Sequence, residues 1–158
     1  MERVISKKDF KYYTMLRKII VDLELENKEY WWLISNIEAY PNKENIKKTI
    51  YNEDYLLIKT TDLMKMLNED DFQWIWAVFS VIPFKCDKEK ILEYKLPHLL
   101  YIEEGEYNPF TDMPILQHPL AVFEIYAVDS SYMFLISDNK DLLNRFKKMY
   151  PKYSANFW

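Results

Sequence analysis

Twelve residues in the middle of the chain, Phe72-Gln-Trp-Ile-Trp-Ala-Val-Phe-Ser-Val-Ile-Pro83, carry only two polar side chains, Gln73 and Ser80. As a strand, this run puts Ile75, Ala77, Phe79 and Val81 on one face and Trp74, Trp76, Val78 and Ile82 on the other. Both faces are apolar. The spacing therefore predicts a strand in mid-sheet with protein over both of its surfaces. Crossing a bilayer as a helix takes about 20 apolar residues. This run is shorter and ends at Pro83, so no membrane association is expected.

The rest of the chain reads outward from this strand. Ser6-Lys-Lys-Asp9 has the form of a capping box, and Phe10, Tyr13, Leu16, Ile20 and Leu23 follow at helical spacing, predicting a helix over 8–22. Tyr30–Ile37 reads as a strand ended by Pro41, with Trp31 and Trp32 facing opposite ways, and a short helix falls within 42–54. Tyr55–Lys59 reads as a strand, and Thr60 or Thr61 caps a helix holding Leu63, Met64, Met66 and Leu67. Asp87 caps a short helix carrying Ile91 and Leu92 that stops before Pro97. Residues 98–119 hold Gly105, Pro109, Pro114 and four acidic residues, and read as a long acidic loop with room for a strand at 99–102. Leu120–Ala127 and Tyr132–Ile136 form a hairpin through Asp129-Ser-Ser131, with Ala121, Phe123, Ile125 and Ala127 on one face. Ser137 or Asp138 then caps a final helix with Leu142, Phe146, Met149 and Tyr150 on one side, and Phe157-Trp158 is expected to dock on the body. Helices and strands alternate without a regular βαβ rhythm. The expected class is α+β: one domain over 1–158, a mainly antiparallel sheet of about five strands and three or more flanking helices.

Charge and glycine usage narrow the function. Residues 61–130 carry 5 basic and 13 acidic side chains, whereas residues 1–60 carry 11 and 10. An acidic middle repels phosphate backbones and attracts basic surfaces, so no nucleic-acid partner is expected and a basic protein is. Gly105 is the one glycine, which leaves no glycine-rich phosphate cradle or dinucleotide fingerprint and no expected cofactor. Phe, Tyr, Met, Ile, Asn and Lys supply 72 of the 158 residues, and Gly, Ala, Arg and Pro only 16; an AT-rich genome accounts for this bias. The lone Cys86 and the lack of a charged-then-apolar leader point to the cytoplasm.

No catalytic motif surrounds Cys86 or any serine, and His98 and His118 lie too far apart for a local metal pair, so neither catalytic nor metal-binding residues are assigned. The acidic residues Glu103, Glu104, Glu106, Asp112 and Asp129 are the expected partner-binding set. A pocket near the acidic loop using His98 and His118, serving a small ligand or an enzymatic reaction, is the alternative. Glu69–Asp71 reads as a helix-to-strand connection, and Glu124, the odd charge in an apolar strand, is expected to face solvent or pair with a lysine. An aromatic-rich domain of this size also invites a homodimer, through a sheet edge or the Tyr30–Ile37 strand.

The order of elements, with Trp31-Trp-Leu-Ile after a helix, Trp74-Ile-Trp-Ala-Val-Phe after a short helix, the hairpin Ala127-Val-Asp-Ser-Ser-Tyr132 and a closing helix, resembles a family of small uncharacterised proteins from low-GC Gram-positive bacteria. The resemblance spans residues 10–158 and implies a single domain and a bacterial source; it implies no activity and no site residues. In size, acidity and lack of a catalytic motif the chain is also similar to immunity proteins that neutralise bacterial toxins. The expected function is non-enzymatic: binding another protein, in the manner of an immunity protein that blocks a basic toxin.

Overall fold

The computed structural model describes residues 1–7, 14–99, 103–130, 132–150 and 153–154. The run at the centre of the sequence is strand β4 (Trp74–Pro83), and it lies inside an antiparallel sheet. Its neighbours are β2 (Tyr30–Ala39) and β5 (Phe123–Val128), and the sheet extends through β3 (Tyr55–Lys59) on one side and through β6 (Tyr132–Ser137) and β1 (Glu2–Lys7) on the other. These six strands run in the order β3-β2-β4-β5-β6-β1, with the two-residue β7 (Tyr153–Ser154) added beside β1. The expected α+β class holds, with six full strands among the described residues where about five were expected.

The extra strand is β1. Ser6 and Lys7 pair with Met133 and Tyr132 of β6, so the apparent capping box belongs to a strand end instead. Local sequence favoured a cap, but pairing along six residues of β6 supplies more backbone hydrogen bonds. The following helix α1 is described over Leu16–Asp22, and the earlier part of the expected helix, with Phe10 and Tyr13, lies outside the described residues, as do residues 100–102 and Phe157-Trp158.

Among the described residues five helices accompany the sheet: α1, α2 (Glu44–Ile50), α3 (Thr60–Glu69), α4 (Lys88–Leu92) and α5 (Lys140–Met149). Among the described residues, no helix is long and apolar enough to cross a membrane. Leu16, Ile19 and Ile20 of α1, Ile46 and Ile50 of α2, Leu63 and Leu67 of α3, and Leu142, Leu143 and Phe146 of α5 all bury against one sheet face, which presents Trp32, Phe79, Val81, Ile125 and Leu135. Met149 is exposed at the end of α5, and Leu143 takes the inward place. The other face is covered mainly by α4 and the long irregular segment that follows it. Capping also departs from expectation. Asn139 caps α5, its Oδ1 accepting from the Asp141 and Leu142 N–H groups, because Ser137 is still paired in β6. Thr60 caps nothing; its Oγ1 accepts from the Trp32 indole at 3.0 Å and the Tyr30 N–H at 3.3 Å. Asp70, in the helix-to-strand connection, accepts from Asn42 N–H, Lys43 N–H and the Asn42 side chain, and so closes the start of α2 from another element.

A pair of irregularities corrects the expected faces of β4. Between Ser35 and Glu38 the strand β2 holds one extra residue, and one step later Ile75 is the extra residue on β4. Asn36, at φ +52, occupies the first of these bulges, a backbone region that asparagine tolerates better than most residues. Because Ile75 is extra, Trp74 turns to the helical side with Ala77, Phe79 and Val81, while Trp76 stays with Val78 on the opposite face and is only half-buried. Trp74 and Trp76 therefore do not share a face. The Tyr30–Ile37 strand is interior, paired with β3 and β4, and offers no surface for self-association.

Candidate functional site

Residues 93–122 link α4 to β5, and the described part contains no strand. A segment of this length needs its own anchors. Apolar contacts supply part of them: Leu99, Phe110 and Leu116 pack around Tyr126, Phe134 and Ile136, while Leu96, Leu116 and Leu120 pack around Leu33, Ile82 and Ile91. Between these two apolar clusters the sheet presents Ser35, Ser80 and Glu124, all fully buried.

Glu124 is the central anchor. Its carboxylate accepts from the Gln117 and His118 N–H groups, both at 2.9 Å, from the Ser80 hydroxyl at 2.8 Å and from the Tyr126 hydroxyl at 2.7 Å. Burial raises its pKa above the ordinary carboxylate value despite these four donors, and burial together with the neighbouring carboxylate pushes the Tyr126 phenol well up. The expectation that Glu124 faces solvent or meets a lysine is thus corrected. Its alternation with Phe123 and Ile125 sends it to the face that the loop covers. It is fully buried, and its bonds to the Gln117 and His118 N–H groups hold the loop.

Other clamps surround this one. The Arg3 guanidinium donates to the Pro109 and Asp112 carbonyls. Ser35 Oγ donates to the Pro97 carbonyl at 2.6 Å, and Asn36 Oδ1 in the β2 bulge accepts from Leu99 N–H. Gln117 forms a reciprocal amide pair with the His98 backbone, 3.0 Å in each direction.

His118 is structural. Its Nε2 lies 3.0 Å from the Ile91 carbonyl, which only accepts, and its Nδ1 lies 3.2 Å from the Leu120 N–H, which only donates. These partners require the neutral Nε2–H tautomer. Burial depresses the ring's pKa below its ordinary 6.5. Because the unfolded chain then binds this proton more tightly, stability should fall as the pH drops through 6.5. Urea titrations at pH 7.5 and 5.5 should show this loss in the wild type and a smaller one in His118→Gln; equal losses would remove His118 from the loop's anchoring.

The five acidic candidates separate. Glu103 and Glu104 stand exposed at a turn closed by the Glu106 N–H to Glu103 carbonyl bond, where Gly105 takes φ +86. Glu106 is half-buried. It bonds to Lys95, whose ammonium holds its carboxyl below the ordinary value, and lies 3.4 Å from His98 Nε2. Asp112 is exposed, and its Oδ2 accepts from Asn108 N–H. Asp129 is in the β5–β6 turn at φ +48, apart from the loop.

His98 lines a cleft of about 200 Å³ with Lys95, Glu106, Tyr107, Ile115 and Gln117, while His118 is buried and does not line it. Small-molecule sites typically start near ~300 Å³. The two histidines do not converge, and the cleft's charges pair with one another. Among the described residues no group of three His, Cys, Asp or Glu side chains is placed to hold a metal. Sequence reading missed Met113, 82% exposed, and Ile115, 47% exposed, which the anchored loop holds out to solvent. Their place between Pro109 and Pro119 in a polar segment was the available signal.

Together these features define an α+β domain that displays an acidic loop with apolar side chains at its surface. Comparison with protein-family models, with curated proteins and with solved structures finds no match to this chain.

Proposed function

We propose that the protein is a non-enzymatic binding protein whose loop 93–122 captures a basic protein partner, in the manner of an immunity protein that neutralises a toxin. The observation that carries this reading is the exposure of Met113 and Ile115 on a segment fastened from below by Glu124. Apolar side chains held rigidly in water cost little further ordering when a partner covers them. Ile115 shares its cleft with Glu106, whose carboxylate reaches the Glu103 N–H, so Ile115 adjoins the acidic turn. Glu103 and Glu104 would form the charged rim that draws in a basic surface.

Isolation of the complex from the native host, followed by stopped-flow mixing with the captured basic protein, tests the reading. Charge reversal in Glu103→Lys/Glu104→Lys should slow association by about tenfold or more at low ionic strength, with most of the difference lost in ~1 M salt. Recovery of no basic partner, or unchanged association by the reversed variant, refutes it.

A further inference from the structure

Among the described residues, the β3 edge of the sheet has no strand beyond it. Sheet edges are usually guarded by proline, a central charge or a bulge. In β3 the residues Tyr55-Leu-Leu-Ile58 contain none of these, and their register with β2 runs unbroken from Trp31↔Lys59 to Ser35↔Tyr55. Alternate residues of this strand therefore turn their N–H and C=O groups outward, and no strand among the described residues pairs with them.

The two ends of this strand differ in charge. At its start a cleft of about 370 Å³ is lined by Ile37, Tyr51, Glu53 and Asp54. At its finish a cleft of about 420 Å³ is lined by Trp31, Lys59, Phe84 and Lys88. There the Lys59 ammonium sits 5.6 Å from the Trp31 ring and 4.8 Å from the Phe84 ring, and the Lys88 ammonium sits 4.9 Å from Trp31. Two cations are thus gathered over one indole. Asp87 and Glu89 also line this cleft, yet neither pairs with a lysine there, and no ion pair between described residues engages Glu53, Asp54, Lys59 or Lys88.

We infer that the β3 edge is a homodimer interface, in which a second copy of this chain pairs antiparallel with β3 about a two-fold axis at Leu57 and continues the sheet. The charge pattern selects this occupant. Antiparallel pairing about Leu57 sets Tyr55 of one copy opposite Lys59 of the other, so the Glu53-Asp54 end of each copy meets the Lys59–Lys88 end of its mate, twice by symmetry. Parallel self-pairing would set like charges together. The exposed aromatics Tyr51 and Phe84 flank the same two ends and add apolar area. This surface is distinct from loop 93–122, so the dimer stands or falls apart from the captured partner.

Sedimentation equilibrium over a wide concentration range should show a monomer–dimer equilibrium that weakens with salt. Lys59→Glu and Asp54→Lys should each weaken dimerisation by about tenfold or more, because each sets like charges together at two symmetric contacts. The double variant Asp54→Lys/Lys59→Glu should recover the dimer. As a second readout, Leu57→Cys in a Cys86→Ser background should oxidise to a disulfide-linked dimer, since residues facing each other across antiparallel strands have Cα atoms ~4.5–5.5 Å apart. A strict monomer at every concentration, a dimer indifferent to the single reversals, or a double variant that stays monomeric overturns the inference. Each charge variant should keep the wild-type circular dichroism, as Asp54 and Lys59 are exposed.

Discussion

Replacing Trp74 with alanine is expected to cost about 3–5 kcal/mol, the range for deleting a fully buried indole. Trp74 has no exposed surface, and its ring lies 4.9 Å from Phe72 and 5.2 Å from Phe79, edge to face with the latter. Neighbours held in the packed core on the helical face cannot readily collapse into the space it leaves. Trp76→Ala, at a half-buried position on the opposite face, should cost only about 1–2 kcal/mol. The indole N–H of Trp74 is buried with no acceptor among the described residues, so Trp74→Phe removes a donor without a partner there along with some volume and should be the milder change at this site. Urea denaturation of the three variants reads the order directly. If Trp76→Ala proves the more damaging alanine variant, the bulge at Ile75 is misassigned.

Loss of the Glu124 carboxylate should be the most damaging change on the loop side. In Glu124→Ala the Gln117 and His118 N–H groups lose their acceptors in a dry interior, at about 1–3 kcal/mol each. The Ser80 and Tyr126 hydroxyls can turn elsewhere, and removal of a buried charge gives some of the cost back. A net loss of about 2–4 kcal/mol is expected. Hydrogen exchange should quicken in the 95–122 amides and much less in the helices on the far face. Glu124→Gln should also destabilise, because its amide nitrogen faces a donor. The pH behaviour opposes that of His118. The raised pKa of Glu124 means the folded state binds its proton more tightly, so this group's contribution declines as the pH rises from 4.5 through the folded value, and Glu124→Gln should abolish that decline. Uniform exchange across the chain, or an unaltered denaturation midpoint in Glu124→Ala, would show that the loop is held by its apolar contacts alone.

Several elements were legible because their signal is local. The runs at Tyr30, Tyr55 and Phe72, the short helices after residue 42 and after Asp87, and the hairpin at Asp129 are each encoded by periodicity and turn residues within about ten positions. The strand β1 was hidden because Glu2–Lys7 has only a weak pattern and is held by β6, more than a hundred residues away. Within the loop, composition revealed the acidity but not which acids are used up. Glu106 and Asp112 hold the loop's own turns, and only the folded chain leaves Glu103 and Glu104 free of such a role.

What the amino-acid order determined by itself is that β4 is apolar on both sides, and hence that it is interior and needs cover on two faces. Which groups provide that cover was decided by the tertiary structure. Ser35, Ser80 and Glu124 are polar interruptions in three separate strands, and each alone reads as a surface residue. Strand pairing gathers them on one face, where a polar group out of reach of water must find partners, and residues 93–122 supply those partners to Ser35 and Glu124, while Ser80 bonds to Glu124. Periodicity along a chain reports which way a side chain points. Only the assembled sheet reports what stands opposite it.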